Sequence, residues 1–155
     1  RKNIHSKLKK RKEGFGVNFF HTCKELNDSE TENFWELYKT KSDKNFTETR
    51  GIVACKGKVT KMRGNVHILL DPKNVESFKD GEILVAPMTS PEYIFAMKKA
   101  GAVITDTGGL TSHAAIVSRE LNIPCIVGAR GSTLVFKNKD VVEIDTSNGT
   151  VKIIK

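Results

Sequence analysis

The sequence predicts an α/β domain over residues 51–155, carrying a basic, partly helical appendage over residues 1–50. Three observations predict it. Strand and helix signals alternate after residue 50. Short apolar runs near 82–86, 102–105 and 124–127 have the length of buried strands. Two helix starts, Ser90-Pro91-Glu92 and Thr111-Ser112, stand between those runs.

The appendage comes first. It opens on a basic arm, followed by a short apolar stretch from Phe15 to Phe20. A helix is expected after Asn27-Asp28-Ser29, which are good capping residues, with Glu30 and Glu32 favouring the positive end of its dipole. Phe34, Leu37 and Tyr38 recur at helical spacing, and Trp35 widens the apolar stripe. One amphipathic helix does not fold alone, so residues 1–50 are expected to be the tail of an upstream domain. Lys41–Arg50, rich in Lys, Ser, Asp, Asn and Thr, has the composition of a linker.

The domain follows. Lys58–Leu70 holds β-favourable stretches expected to break at Gly64, and Asp71-Pro72 ends them. Asp80-Gly81 is a turn before a strand at Glu82–Ala86. Ser90-Pro91-Glu92 starts a helix that Gly101 stops. Ala102–Thr105 is a short strand, Asp106–Thr111 a glycine-bearing loop, and Ser112–Asn122 a helix. Its buried stripe is expected to be Ala114, Val117 and Leu121, with Ile116 beside them. A strand at Pro124–Val127 and a hairpin of Asp140–Asp145 and Thr150–Ile154 around Ser147-Asn148-Gly149 complete the set.

Composition narrows the function classes. Hydrophobic content of 38% and charged content of 28% are ordinary for a globular protein. No apolar run approaches the roughly 20 residues that cross a bilayer. The opening RKNIHSKLKKRKEG has no apolar segment behind its charges, so no secretory signal is read there and a cytoplasmic setting is expected. Net charge is +8. Residues 1–50 carry 12 basic and 8 acidic side chains and residues 51–155 carry 14 and 10, so each part contributes +4. Seven basic residues crowd into positions 1–12, a run that can grip phosphate backbones but that more commonly forms a solvated arm. No aromatic platform interleaves it. Nucleic acid is therefore not the expected partner.

Cys23, Cys55 and Cys125 are odd in number, scattered, and without C-x-x-C spacing, so neither a disulfide framework nor a zinc site is expected. Cys55 and Cys125 are expected to be structural, as are Met62, Met88 and Met97. His5, His21 and His67 have no partner at ligand spacing.

The chemistry concentrates in AVITDTGGLTSHAAIVSREL, residues 102–121. Paired glycines, Gly108 and Gly109, let backbone approach a bulky anion. A helix N-terminus offers free N–H groups and partial positive charge to that anion. Thr111 and Ser112 add hydroxyls that cap the helix or donate to phosphate oxygens. A neutral imidazole at His113 would be nucleophilic, and the helix end is expected to favour an anion there over a cation. A phosphorylated imidazole, with a charge of about −2 by analogy with phosphate monoesters, would sit where the helix end favours it. Arg119, further along, is a solvated helix residue or a phosphate ligand.

The run TDTGGLTSHAAIVSRELNIPCIVG, residues 105–128, resembles the phosphohistidine signature of phosphoenolpyruvate-utilising enzymes, such as phosphoenolpyruvate synthase and pyruvate phosphate dikinase. Asp80–Ala86 with Thr89-Ser90-Pro91-Glu92, and Val141–Asp145 with Gly149-Thr150-Val151, resemble the family's flanking elements, so the resemblance covers about residues 50–155. Lys61 departs from it, standing where the pattern has glycine. The resemblance implies a three-layer β/β/α swivelling phosphohistidine domain. It places His113 on the phosphorylated histidine and Gly108, Gly109, Thr111 and Ser112 around the phosphate, with Arg119 as a further candidate. It also implies that His113 Nε2 attacks phosphorus while Thr111 or a backbone carbonyl holds the other ring nitrogen.

By the same resemblance the chain carries phosphoryl groups from an ATP (or phosphoenolpyruvate) site to pyruvate or another acceptor. It is expected to bind no cofactor and no metal itself. ATP and Mg would belong to an ATP-grasp nucleotide-binding domain, and pyruvate or phosphoenolpyruvate to an acceptor domain, in cis or in trans. Without them the chain is expected to be inactive. Two other classes stand beside this one: a degenerate regulatory or scaffolding module that keeps the fold without seeing phosphate, and a nucleic-acid binder acting through residues 1–12. A scaffold has no need of Gly108, Gly109, Thr111, Ser112 and His113 together. A binder acting through the arm would lose its mobility shift when residues 1–12 are deleted.

Overall fold

A computed structural model describes residues 16–18, 24–26 and 47–154, which fall in two units, Arg1–Asn45 and Phe46–Lys155. The basic arm at 1–12, the helix expected after Ser29, most of the 41–50 linker, and Cys23, His5 and His21 lie outside the described residues. In the first unit, β1 (Gly16–Asn18) pairs antiparallel with β2 (Lys24–Leu26), Val17 opposite Glu25.

The second unit is built on eight strands. They are β3 (Glu48–Arg50), β4 (Ile52–Cys55), β5 (Lys61–Ile68), β6 (Ile83–Ala86), β7 (Ala102–Thr105), β8 (Cys125–Val127), β9 (Val141–Asp145) and β10 (Thr150–Ile153). Their spatial order is β3-β10-β9-β5-β6-β7-β8-β4. β5 to β8 run parallel to one another, and the remaining pairings are antiparallel. The helices are α1 (Ile94–Lys99), led in by a 3₁₀ turn at Pro91–Tyr93, then α2 (His113–Leu121) and the short α3 (Ser132–Val135). A 3₁₀ segment, Pro72–Ser77, follows β5, its first amides capped by Asp71.

Alternation along the central strands sorts the core into two sheets of side chains. Ile83, Val85, Ala102, Ile104 and Ile126 point one way and pack with Val142, Ile144 and Val151 of the antiparallel strands. Leu84, Ala86, Val103, Cys125 and Val127 point the other way and pack with Ala96 and Met97 of α1 and Ala114 and Ala115 of α2. β6, β7 and β8 are buried on both faces, which explains their continuous apolar sequence. The result is the expected three-layer β/β/α arrangement: antiparallel strands, mainly parallel strands, helices.

Several details differ from the sequence reading. Gly64 does not break β5; the strand runs through it, and a Cβ there would lie 3.0 Å from Ile83 Cδ1 on the neighbouring strand, a close approach that favours glycine. Glu48–Arg50, read as linker, pairs with β10, whose edge would otherwise be open. The buried face of α2 is Ala114, Ala115 and Ser118, with Val117 and Leu121 half-buried and Ile116 exposed. Small residues let α2 lie close on the sheet, and the bulkier Ile116 is turned outward. Met97 is core, but Met88 is 64% exposed beside the candidate site.

Candidate functional site

Parallel pairing decides where the site lies. Ala86 is in register with Thr105, and Val103 and Ile104 with Cys125 and Ile126, so β6, β7 and β8 end side by side. The loops leaving them therefore emerge together, at the carboxyl edge where α/β sheets commonly bind ligands. Backbone bonds stitch those loops: Asp106 N–H donates to Ala86 O at 3.1 Å, Thr107 N–H to Pro87 O at 3.0 Å, and Ala129 N–H to Thr105 O at 2.9 Å. Side chains add to this. Thr107 Oγ1 donates to Pro87 O, and the Asp106 carboxylate accepts from the backbone N–H and hydroxyl of Thr133 at the start of α3.

The glycine loop is thus held at its base and open at its tip. Gly108 has φ +116°, a conformation L side chains rarely adopt, and a Cβ there would meet Ser112 Cβ and Oγ at 3.1 Å. At Gly109 a Cβ would meet nothing within 4 Å. Ser112 turns the chain into α2. Its N–H donates to Gly109 O, and its hydroxyl oxygen caps the helix by accepting from Ala115 N–H at 3.4 Å. Among the described residues, the N–H groups of Gly108, Gly109, Leu110, Thr111, His113 and Ala114 find no protein acceptor. They form a row of donors at the mouth of a nine-residue helix.

His113 is the first residue of α2 and is half-buried. Its Nδ1 lies 3.0 Å from Thr89 Oγ1. A hydroxyl that accepts from Nδ1–H leaves the lone pair on Nε2. Among the described residues Nε2 makes no hydrogen bond to protein. The partner of the ring is therefore Thr89, not Thr111 or a backbone carbonyl. Thr111 is exposed, its hydroxyl outside this bond. Arg119 is exposed as well and reaches back along the helix, donating from Nη2 to Leu110 O at 2.9 Å. In this geometry it braces the loop tip from behind. Sequence reasoning missed Thr89 because 24 residues separate it from His113; the signal was its place just beyond a strand parallel to β7.

The surface around the imidazole is partly apolar. Met88, Leu110 and Ile116 are 64%, 53% and 48% exposed, beside Thr89, in the loop and one turn along α2 respectively. The imidazole itself is half-buried. A cavity of about 520 Å³ lined by His67, Lys73, Ser77 and Asn138 includes neither the loop nor His113. His67, unassigned from sequence, is fixed there with Nδ1 2.8 Å from Glu82 Oε2 and Nε2 3.2 Å from Ser77 Oγ. Among the described residues no three His, Cys, Asp or Glu side chains converge as a metal site would require, and no helix is long and apolar enough to cross a membrane.

Residues 78–149 match the family model described as the mobile domain of PEP-utilising enzymes. The probable phosphoenolpyruvate synthase of Staphylothermus marinus is 51% identical over 90 residues, 57% of this chain and 11% of that protein. The phosphoenolpyruvate synthase of Pyrococcus furiosus is 48% identical over 88 residues, again 57% of this chain and 11% of that one. The chain thus spans about a tenth of the length of the curated relatives it matches. A chain of Thermococcus kodakaraensis aconitase X superposes with a TM-score of 0.50 at 18% identity, covering 70% of this chain and 98% of that one, a likeness of fold alone. A strand–loop–helix unit that presents a single imidazole among free amides lies within a sequence half identical to synthase segments, and residues 78–149 of this chain are similar to the mobile domains of PEP-utilising enzymes.

Proposed function

We propose that this domain is a phosphoryl carrier in which His113 takes a phosphoryl group at a nucleotide site on an ATP-grasp domain and delivers it to pyruvate or another acceptor bound elsewhere. In the charging step the Nε2 lone pair forms an N–P bond as the bond from phosphorus to the leaving oxygen of the nucleotide breaks. Delivery reverses the roles, and the acceptor oxygen takes the phosphoryl group. ATP and Mg belong to the partner domain, which supplies charge neutralisation at the nucleotide.

The observation that carries this reading is the pairing of His113 Nδ1 with Thr89 Oγ1, which leaves Nε2 without a protein partner among the described residues. It orients the ring and directs the nucleophilic lone pair outward. The donor row of Gly108, Gly109, Thr111 and the first turn of α2 suits the phosphoryl oxygens. The hydroxyls of Thr111 and Ser112 are within the same turn, and Arg119, placed as a loop brace, contributes positive charge behind it.

The test is phosphorylation of the full chain by a cognate nucleotide-binding domain with γ-labelled ATP and Mg. An acid-labile, base-stable adduct is expected, absent in His113→Ala. Label that survives His113→Ala removes the proposal.

A further inference from the structure

We infer that Cys55 and Cys125 are a redox modification site: two thiols placed to close a disulfide between β4 and β8, directly beneath the first turn of α2. The two residues face each other in the antiparallel pairing of these strands. The ladder slips between Val53 and Cys55, so one extra residue is accommodated in β4. Without that slip the partner of Cys125 would be Ala54; with it, both Ala54 and Cys55 pack on the helix-facing core that contains Cys125. Directly opposed residues of an antiparallel pair have Cα atoms about 4.5–5.5 Å apart. That lies inside the span of about 4.4–6.8 Å a disulfide requires.

The surroundings fit a pair that reacts in order. Cys55 is half-buried and reachable, whereas Cys125 is buried. Burial pushes the Cys125 thiol up to about 11, opposed by the Ser118 hydroxyl beside it. Ser118 Oγ is fully buried and makes no hydrogen bond among the described residues, so its hydroxyl is free to turn to the sulfur. A hydroxyl there stabilises the sulfur as it becomes an attacking thiolate. Cys125 Sγ also lies 3.8 Å from Ala114 O, its S–H directed at the carbonyl of the residue after His113.

The chemistry needs an oxidant, and a hydroperoxide supplies it. The Cys55 thiolate attacks one peroxide oxygen, the O–O bond breaks, and a sulfenic acid forms with release of hydroxide. Cys125 sulfur then attacks the sulfenic sulfur; the S–S bond forms and the S–O bond breaks. Two thiols and one hydrogen peroxide give one disulfide and two waters, the sulfurs losing two electrons. The S–H that faced Ala114 O is lost with the proton, so closure reaches the turn that holds His113. A dithiol reductant reverses it.

The test uses the full chain, reduced and then treated with hydrogen peroxide, followed by non-reducing peptide mapping. The expected result is a linked pair of peptides bearing Cys55 and Cys125, lost on adding dithiothreitol and absent in Cys55→Ser. In ¹H–¹⁵N spectra of the same samples, the amides of His113 to Ala115 should shift on oxidation and return on reduction, but stay unchanged in peroxide-treated Cys55→Ser. Cys55→Ser is the variant of choice because it alters the half-buried member; a Cys125→Ser chain that failed to fold would therefore not obscure the outcome. Oxidation of Cys55 onward to sulfinic acid with Cys125 still free overturns the proposal, as does linkage of either residue to Cys23 alone. Neither readout depends on phosphorylation, so failure here is distinct from failure of the carrier reading.

Discussion

Thr89 Oγ1 lies 3.0 Å from His113 Nδ1, the two residues standing on loops that leave neighbouring parallel strands. A single hydroxyl thus fixes the ring from the side opposite the lone pair that must react. Removing it frees the ring to rotate and to exchange tautomers. The bond is worth about 0.5–1.5 kcal/mol net, so Thr89→Val should slow phosphorylation of His113 about two- to tenfold. Thr89→Ser, which keeps the hydroxyl, should restore most of the rate. Equal rates for wild type and Thr89→Val in a single-turnover labelling assay would show that the bond is dispensable.

The two loop glycines should behave differently. Gly108 holds φ +116° against Ser112, so Gly108→Ala strains the backbone and crowds the cap. A cost of about 1–3 kcal/mol is expected, visible as a clear drop in thermal midpoint, with slower labelling because the cap and the amide row shift together. Gly109 has open space where a Cβ would stand. Gly109→Ala should change stability by less than about 0.5 kcal/mol. If its labelling falls all the same, the approach of phosphate to that backbone is the cause, and thermal melts beside labelling rates separate the two effects.

Arg119 gives a third expectation. Its Nη2 bond to Leu110 O ties the exposed loop tip to the helix. Arg119→Ala should cost less than about 1 kcal/mol, as an exposed hydrogen bond does. Amide exchange at residues 108–112 should rise more than exchange elsewhere. Stable phosphohistidine in Arg119→Ala would assign the side chain to loop bracing, whereas faster loss of the phosphoryl group would assign it to the phosphate as well.

How much of this was legible beforehand follows from the range of each interaction. Thr105, Asp106, Ser112 and Asn122 mark strand end, loop start, helix start and helix end in the sequence, and the structure has them at those places, the last two as N-cap and C-cap. These are local signals, read from a few neighbouring residues. In the sequence Thr89 belongs only to a flanking helix start, because its bond to His113 depends on β6–β7 register and not on spacing. The Cys55–Cys125 alignment was invisible for the same reason, with an added slip in the ladder that no pattern of alternation announces. Ile116 was misjudged because stripe counting weighs hydrophobicity, whereas close helix–sheet packing at Ala114, Ala115 and Ser118 selects for small size. Resemblance supplied the role of His113; local physics supplied only a favourable place for an anion.

The acid limb of stability should depend on Asp145. This residue, at the end of β9, accepts from the hydroxyl and the N–H of Ser147 and pairs with Lys61 Nζ at 3.2 Å. Those bonds, the Ser147 hydroxyl foremost, hold its carboxyl below the ordinary carboxylate value. Because the folded value is the lower one, folding favours the ionised form. The stability it contributes is fully present above the unfolded value of about 3.9 and is lost as pH falls through the lowered folded value. The wild-type chain should therefore lose stability steeply below about pH 4. Asp145→Asn removes the titrating group, so that variant should be less stable near neutrality yet show a shallower acid limb, the two curves converging at low pH. Urea unfolding midpoints collected from pH 2 to pH 7 measure both slopes, and parallel curves would mean that Ser147 and Lys61 do not favour the charged form.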